Sequence, residues 1–486
     1  MKTQHPKPLY LFFLVDVFER FGFYAMQAIL VLFMTQTLLF SDTKAYEIFA
    51  VMGALVYLTP IIGGQLTDSI LGIKNALLLG ALILFLGYGL LAIPTKLTFY
   101  TALACICTGI GLFMPNIANA VGGLYTKGDP KRNEGFAILY TGINIGALIP
   151  PLFMGYIVDN TGWHVAFLMS ALSIAVMLIL LLFGLKHYNQ NIKYHAIQPK
   201  EATLLIKFIL ACGFCAFIFI AALLIYNYKM TNIVLLFVGT GFVIFTVGKA
   251  INLNSSERKG VIAALILTLV SIVFWVLFLQ AGTSLTIFAK YNVDRHIGGW
   301  TIPTVMFQSL GPLFIILLGP FIGRLWVILS RYNINPSVPI KFAIGLFFMG
   351  AGFVLIQGAI KHFSDEHNQL HFIWVVGSYF LQSIGELLLS PVGLSMISEV
   401  SPSSMGGLMM GIWYFATTIA NILAGFAASL TADPSGSNNP AQTTVLFQHT
   451  FGILGWLSIA IGLVFMFFVA PKLSNMMKQA LHGDAN

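Results

Sequence analysis

Three ionisable residues stand close together inside the first long apolar run of the chain. Asp16, Glu19 and Arg20 are spaced i, i+3 and i+4, so on a helix they share one face, and Tyr24 extends that face by one turn. Charged side chains at membrane depth are costly and usually face a cavity or an ionic partner. The spacing therefore predicts either a functional polar site or a buried ion pair that only fixes helix packing.

Glu386 is a fourth ionisable residue within an apolar run, far along the chain. Together the three carboxyls and one guanidinium carry an excess of negative charge, and like charges at close range in a low-dielectric site cannot all stay ionised. An arginine can hold a carboxylate through two parallel hydrogen bonds. A carboxyl that exchanges a proton beside such an arginine indicates proton-coupled uptake of an anionic or zwitterionic solute.

The composition shows which class of protein must position these residues. Of 486 residues, 58% are apolar and 9% are charged, whereas soluble domains carry roughly 25% charged residues. This scarcity of charge excludes a soluble enzyme, a nucleic-acid binder and a disordered scaffold.

Fourteen apolar runs are long enough for a helix to cross a bilayer, which takes about 20 residues. When the N-terminus is placed in the cytoplasm, roughly three times as many Lys and Arg fall inside as outside, as the positive-inside rule requires. This predicts a multi-pass plasma-membrane protein with both termini cytoplasmic, and it explains the net charge of +8 without a polyanionic partner. The runs lie at about 9–38, 45–67, 75–94, 97–125, 136–158, 163–185, 204–226, 230–251, 260–289, 299–329, 339–360, 371–399, 406–431 and 447–470.

The runs fall into two halves that look like weak copies of each other. The loop GGQLTDSILGIK at 63–74 corresponds to GPFIGRLW at 319–326, and a central proline recurs at Pro115 and Pro391. Such duplication with mid-membrane helix breakers is typical of secondary transporters, whose binding site lies where the repeats meet. We predict an N-terminal bundle at 1–190, a polar linker with two lipid-facing helices at 191–256, and a C-terminal bundle at 257–486.

Seven segments resemble, in order along the chain, motifs of the proton-dependent oligopeptide transporter family of the major facilitator superfamily. The resemblance implies an all-α membrane fold of two six-helix bundles with a two-helix insertion. It also implies a bacterial inner-membrane protein, expected to be a monomer, that imports di- and tripeptides with protons by alternating access. The segments are DVFERFGFYAM (16–26), GGQLTDSILG (63–72), FAILYTGINIGALIPP (136–151), FWVLFLQAGTSLTIFA (274–289), QSLGPLF (308–314), GELLLSPVGLSM (385–396) and LMMGIWYFATT (408–418).

The family motifs carry roles over to residues of this chain. The proton-coupling group that the resemblance and the charge pattern imply is Asp16, Glu19, Arg20 and Glu386. The implied peptide contacts are Arg20, Tyr24, Tyr57, Asn144, Trp275, Gln280, Glu386 and Trp413. For the aromatic residues, ordinary helix packing is the alternative. The implied gating residues, on the cytoplasmic side, are Asp68, whose carboxylate could cap a helix, Gly72 and Lys74.

Four positions depart from the family pattern. Asp16 stands in place of the first Glu of the family motif that the segment at 16–26 resembles, and it is one methylene shorter. Met114 replaces the usual Lys, Leu279 a frequent carboxylate and Gly311 the usual Asn. One cation, one potential proton carrier and one amide are therefore missing. The alternatives are a peptide facilitator with altered or lost coupling, a transporter of a non-peptide zwitterionic or cationic solute, and a receptor or chaperone that kept the fold.

Motifs for metal, cofactor or enzymatic chemistry are weak in this sequence. Cys212 and Cys215 match a zinc or redox spacing but lack a second ligand pair. All four cysteines are therefore predicted to be small buried helix residues. We expect no cofactor, no metal and no enzymatic activity.

Overall fold

The computed structural model describes residues 5–125, 129, 131–188, 204–402, 405–436 and 439–482. Residues 189–203, which include the linker at the start of the predicted insertion at 191–256, lie outside the described residues. The α-helices are α1 Pro8–Gln36, α2 Asp42–Leu66, α3 Gly72–Leu91, α4 Lys96–Gly122, α5 Lys131–Thr161, α6 Trp163–Tyr188, α7 Leu204–Tyr226, α8 Tyr228–Ile251, α9 Ser255–Phe278, α10 Ser284–Tyr291, α11 Leu310–Arg331, α12 Val338–Phe363, α13 Ile373–Val400, α14 Gly406–Ser429, α15 Pro440–Val464 and α16 Ala470–His482.

Short irregular segments join or interrupt these helices. Two are π-helical, Thr67–Leu71 and Phe465–Val469, and two are 3-10 turns, Leu279–Gly282 and Thr304–Ser309. The strands are β1 Val293–Asp294, β2 His296–Ile297, β3 Trp300–Thr301 and β4 Leu370–His371, with β1 parallel to β4 and β2 antiparallel to β3.

Thirteen helical segments in the described part of the chain are long and apolar enough to cross a membrane. The predicted number was fourteen, and the difference lies in Asp42–Leu91, one helical stretch of 50 residues. At 1.5 Å per residue this stretch is about 75 Å long, more than twice a hydrocarbon core of about 30 Å. It therefore holds two predicted runs, divided at Gly72, which has a φ of 71°. The predicted all-α, multi-pass fold is confirmed, but the expected loop at 63–74 is mostly helical.

The sequence predicts a membrane-crossing helix from 299, but the structure places strand β3 of the β2–β3 hairpin at Trp300–Thr301. The chain becomes helical only at the 3-10 turn Thr304–Ser309. Next to the hairpin, Asp294 accepts a hydrogen bond from the His296 backbone amide (3.1 Å), and the His296 ring Nδ1 lies 2.8 Å from the same carboxylate oxygen. These hydrogen bonds lower the pKa of the Asp294 carboxyl below its usual range.

The described chain divides into two compact units. The first comprises Met1–Phe40 and Val51–Thr231, and the second comprises Ser41–Ala50 and Asn232–Asn486. One border falls inside α8, so α7 belongs to the first unit and most of α8 to the second. Another falls inside α2, whose first residues up to Ala50 belong to the second unit. The division into 1–190, 191–256 and 257–486 stays a prediction.

Glycines set the helix packing of the first unit, where α1 packs against α5 and α6, and α3 packs against α4 and α6. A Cβ atom at Gly63 would lie 2.0 Å from the backbone oxygen of Gly111, and one at Gly109 would lie 2.9 Å from the backbone oxygen of Gly80. Small residues allow this close approach of backbones, which is how membrane helices commonly associate.

Close glycine contacts also set the helix packing of the second unit. Within it α12 packs against α13 and α15, and α9 packs against α14 and α16. A Cβ atom at Gly350 on α12 would lie 2.5 Å from the backbone oxygen of Gly455 on α15. Backbone contact at this pair therefore fixes the spacing of α12 and α15.

The two inserted helices bury few side chains. Phe219 on α7 and Phe237 on α8 are largely exposed, although α7 also packs against α4. Cys212 and Cys215 are exposed on α7, whereas the other two cysteines are buried. The prediction of four buried cysteines is therefore wrong for this pair, because α7 directs that face outward. No cluster of His, Cys, Asp or Glu suited to a metal ion forms among the described residues.

Candidate functional site

The charged cluster of α1 is buried in the first unit. Relative exposure is 2% for Asp16, 0% for Glu19 and 9% for Arg20. The Arg20 Nε donates a hydrogen bond to the Glu19 Oε2, and the guanidinium lies 5.6 Å from the centroid of the Phe23 ring. The helical spacing thus brings the three residues together, as the sequence predicts.

Two carboxylate oxygens of this cluster have no hydrogen-bond partner among the described residues. They are the Asp16 Oδ2 and the Glu19 Oε1. Buried polar atoms are nearly always hydrogen-bonded, so unsatisfied ones indicate function or a partner that comes and goes. With its unpaired carboxylate oxygens, the cluster can accept a proton or present Arg20 to an incoming anion. An ion pair that only packs two helices together needs no unpaired oxygens.

Helices α5 and α6 pack closely against α1 next to the charged cluster. A Cβ atom at Gly146 of α5 would lie 2.7 Å from the Arg20 Cβ, and one at Gly22 would lie 3.2 Å from the Ser170 backbone oxygen on α6. The Ser173 hydroxyl also donates to the Phe18 backbone oxygen. Close packing on two sides fixes the direction in which the cluster projects.

The other candidate residues of the first unit are less enclosed. Tyr24 and Tyr57 are half-buried. Asn144 is half-buried too, and its Nδ2 donates to the Tyr140 backbone oxygen on its own helix at 2.9 Å. The Asn144 side-chain oxygen accepts no hydrogen bond from the described protein, so it is chemically suited to an ammonium donor.

In the second unit, Glu386 lies on α13 and is half-buried. Its carboxyl forms no hydrogen bond or ion pair with the described residues. Trp275 on α9 packs edge-to-face with Phe274 and Phe278, at centroid distances of 5.3 and 5.4 Å. Trp413 on α14 is buried, and a Cβ atom at Gly393 of α13 would lie only 2.2 Å from its ring.

Gln280 differs from the other candidates because its side chain is already hydrogen-bonded. It is buried in the 3-10 turn, and its Nε2 donates to the backbone oxygens of Val276 (2.9 Å) and Ala424 (3.1 Å). Its Oε1 accepts from the Ser284 hydroxyl at 2.6 Å. Direct contact with a solute stays a prediction. Because both Nε2 hydrogens are used, a bond donated to the solute would require one of these hydrogen bonds to break, whereas Oε1 keeps one lone pair.

The predicted gating residues surround the junction of α2 and α3. Asp68 is exposed in the π-helical segment and forms no side-chain hydrogen bond in the described part of the chain, so the expected helix cap is not formed. Gly72 takes the positive φ that glycine adopts without strain, and Lys74 is half-buried on α3.

Sequence reasoning missed two polar residues of the first unit, Asn116 on α4 and Tyr88 on α3. Asn116 is fully buried and donates to the Thr67 hydroxyl at 2.8 Å. Tyr88 is fully buried, and its hydroxyl has no hydrogen-bond partner among the described residues. The position of Asn116 directly after Pro115 was a usable signal. Tyr88 carried none, because an isolated tyrosine in an apolar run is usually a packing residue.

These features define a multi-pass helical membrane protein with a buried ion pair, Glu19 and Arg20, in its first unit. Its second unit has a half-buried carboxyl on a long apolar helix, Glu386 on α13. Together they are typical of secondary transporters. The chain belongs to the POT family, whose profile matches residues 74–446.

Relatives align over nearly the whole chain. Dipeptide and tripeptide permease B of Aliivibrio fischeri strain MJ11 is 32% identical over 484 residues, covering 99% of this chain and 97% of that protein. Dipeptide and tripeptide permease A of Salmonella typhimurium strain LT2 is 32% identical over 478 residues, covering 97% and 93%.

Solved structures show the same fold. The crystal structure of a peptide transporter POT in complex with sulfate has a TM-score of 0.83 at 30% identity, covering 98% of this chain and 97% of that one. A POT family transporter in complex with 5-aminolevulinic acid has a TM-score of 0.82 at 30% identity, covering 97% and 98%. The predicted family and its major facilitator fold are confirmed.

Proposed function

We propose that this protein imports di- and tripeptides by proton symport through alternating access. The observation that carries the proposal is the buried Asp16, Glu19 and Arg20 cluster with its unpaired carboxylate oxygens. Family membership and the names of the relatives, which are dipeptide and tripeptide permeases, support it.

In this proposal Arg20 holds the peptide carboxylate through two hydrogen bonds, and Asn144 with Glu386 receives the peptide amino terminus. Asp16, Glu19 and Glu386 are the residues that exchange protons. When Glu19 is protonated its attraction for Arg20 weakens, so the guanidinium becomes available to the peptide. Protonation and peptide binding therefore favour each other.

The remaining candidates shape the site and its access. Tyr24, Tyr57, Trp275 and Trp413 contact the peptide side chains, and Gln280 takes part in binding from its buried turn. Asp68, Gly72 and Lys74 control gating at the cytoplasmic side. The protein acts as a monomer in the bilayer of a bacterial inner membrane, with both termini in the cytoplasm.

A second candidate function is transport of a non-peptide zwitterionic or cationic solute, or of peptides with weakened coupling. Met114, Leu279 and Gly311 supply no cation, carboxylate or amide where the family motif often has one. A solved relative binds 5-aminolevulinic acid, which is such a zwitterion. The structure leaves room to restore one group, since a Cβ atom at Gly311 would meet nothing within 4 Å.

The test is uptake of labelled dialanine and trialanine into proteoliposomes, with and without an inward proton gradient. Proton-coupled symport predicts accumulation above equilibrium only when the gradient is present. Equilibration without regard to the gradient would establish a facilitator instead. Absence of uptake, together with gradient-driven uptake of 5-aminolevulinic acid in the same vesicles, would establish the non-peptide solute.

A further inference from the structure

A cavity of about 310 Å³ lies in the first unit between α2, α4 and the inserted helix α7. Protein interiors are packed almost as densely as organic crystals, and voids much larger than a water molecule are few. This volume reaches the range of pockets that hold small ligands. None of the residues proposed above for transport or gating lines the cavity, so it calls for an explanation of its own.

The wall of this cavity is apolar and offers no free hydroxyl hydrogen. The Thr59 hydroxyl donates to the Cys107 backbone oxygen at 2.8 Å. The Thr108 hydroxyl donates to the Ala104 backbone oxygen at 2.7 Å. The other lining residues are isoleucine, leucine, phenylalanine and glycine. A polar solute would lose its hydration there without gaining comparable hydrogen bonds, so the ligand that fits is a hydrocarbon.

The cavity opens at the surface between α2 and α7. Ile62 and Ile209 line it and are 48% and 58% exposed, whereas Gly63 and Gly111 form a buried floor. The part of α7 at Ile209–Tyr226 is apolar along its length and buries few of its side chains, which is typical of a helix in contact with lipid. The molecules at the mouth of the cavity are therefore acyl chains of the bilayer.

A second cavity, of about 280 Å³, has the same relation to the other inserted helix. It lies in the second unit between α8, α9 and α14. Beside it α8 packs tightly on α14, because a Cβ atom at Gly239 would lie 2.6 Å from the Phe415 ring. Each inserted helix thus packs on its own unit and leaves an apolar hollow beside the contact. This repetition indicates a property of the insertion and not a single packing defect.

We propose that the cavity beside α7 binds one acyl chain of a membrane phospholipid. The chain fills the seam between the inserted helix and the crossing of α2 and α4, where the backbones of Gly63 and Gly111 meet. Moving a chain from the bilayer into an apolar cavity gains nothing from the hydrophobic effect. The gain comes from van der Waals contacts that the walls of an empty cavity lack. The inserted helix α7 therefore acts as one wall of a lipid site.

The test is photolabelling in proteoliposomes that contain a phospholipid with a diazirine near the end of one acyl chain. Residues 108–112 of α4 are buried throughout, so a carbene from the surrounding bilayer is expected to reach them through the cavity. Tandem mass spectrometry of the wild-type protein should therefore locate label in this segment.

The variant Gly213→Leu should abolish this labelling. Gly213 lines the cavity, and a Cβ atom there meets nothing within 4 Å, so a leucine side chain has room to occupy the space. Gly248→Leu on α8 is the matched control. Gly248 is also exposed, its Cβ atom would also meet nothing within 4 Å, and it lines neither cavity. Labelling of residues 108–112 should be unchanged in this control.

Label on the exposed face of α7 is the internal reference, since that face meets the bilayer in every variant. Absence of label at 108–112 in the wild type, or label that persists there in Gly213→Leu, would overturn the site. If Gly213→Leu does not fold, Ile209→Trp covers the mouth from its exposed rim position and gives the same readout. The measurement needs neither a peptide nor a proton gradient, so its result is independent of the proposed transport function.

Discussion

The Asn116 side chain of α4 donates a hydrogen bond of 2.8 Å to the Thr67 hydroxyl, which joins α4 to the end of α2 inside the first unit. Thr67 in turn donates to the Gly63 backbone oxygen at 2.8 Å. The bond lies at the start of the π-helical segment that carries Asp68. It therefore anchors the proposed gating segment to a helix that is buried along most of its length.

Replacement of Asn116 by Leu should destabilise this anchor. The substitution keeps the side-chain volume but removes the donor to the Thr67 hydroxyl, which still donates to the Gly63 backbone oxygen. The expected cost is that of one net hydrogen bond, about 0.5–1.5 kcal/mol. We expect a lower midpoint of thermal unfolding in detergent and faster hydrogen exchange of the backbone amides at 67–72. Thr67→Val is the partner variant. If the two losses add fully in the double mutant, the hydrogen bond contributes nothing to stability.

The amide variants Asp16→Asn and Glu19→Gln should abolish pH-driven accumulation of dialanine. Each removes a carboxyl that can bind a proton, while the side chain keeps nearly the same size. We expect the two variants still to exchange peptide across the membrane in counterflow, because exchange needs no net proton movement. The measurement is uptake as a function of external pH in proteoliposomes.

Glu134→Gln is the control for these variants, because the side chain of this α5 carboxylate is 65% exposed and, in the described part of the chain, its ion-pair partner is His5. Its pH profile should match the wild type. Unchanged pH dependence in both amide variants would exclude the α1 cluster from proton coupling.

Sequence reasoning reached the α1 cluster because its geometry is local. Spacing of i, i+3 and i+4 places Asp16, Glu19 and Arg20 on one helix face in any helical protein. The hydrogen bond from Asn116 to Thr67 was out of reach because it joins two different helical segments. Runs that are apolar on every side do not reveal which face packs against which neighbour.

The segment at 63–74 and the side chain of Gln280 are two features that the sequence did not predict correctly or could not predict. The residues at 63–74 are polar enough to be taken as a loop, yet they stay helical through the π-helical segment Thr67–Leu71, and Gly72 with its positive φ begins α3. Gln280 matches a binding motif, but a motif does not reveal that its amide is hydrogen-bonded to Val276, Ala424 and Ser284. Hydrogen bonds of a buried amide depend on the fold around it.

A substitution at the crossing of α12 and α15 should show how strongly glycine contacts hold the second unit together. A Cβ atom at Gly350 would lie 2.5 Å from a backbone oxygen of Gly455, which cannot move without shifting the whole helix. Gly350→Ala should therefore lower stability by about 1–3 kcal/mol, the usual cost of overpacking. The thermal unfolding midpoint in detergent measures it.

Gly358→Ala provides a control on the same helix, because a Cβ atom there meets nothing within 4 Å. It should be neutral or stabilise the protein by up to about 1 kcal/mol through the higher helix propensity of alanine. Equal effects of the two substitutions would mean that α12 and α15 are not in backbone contact.

The contact between Gly393 and Trp413 allows the binding role of Trp413 to be tested without touching the tryptophan itself. A Cβ atom at Gly393 would lie 2.2 Å from the indole ring, so Gly393→Ala must displace the ring. If Trp413 lines the peptide site, we expect the affinity for dialanine to fall roughly tenfold, about 1.4 kcal/mol. Binding measured by competition with a labelled peptide gives this affinity directly.

Gly407→Ala on α14 is the control for this prediction, since a Cβ atom there meets nothing within 4 Å. It should leave peptide affinity unchanged. Trp413→Phe is the direct comparison and should weaken binding to a similar degree, because it removes the part of the ring that lies over Gly393. Wild-type affinity in both Gly393→Ala and Trp413→Phe would show that Trp413 only packs α14 against α13.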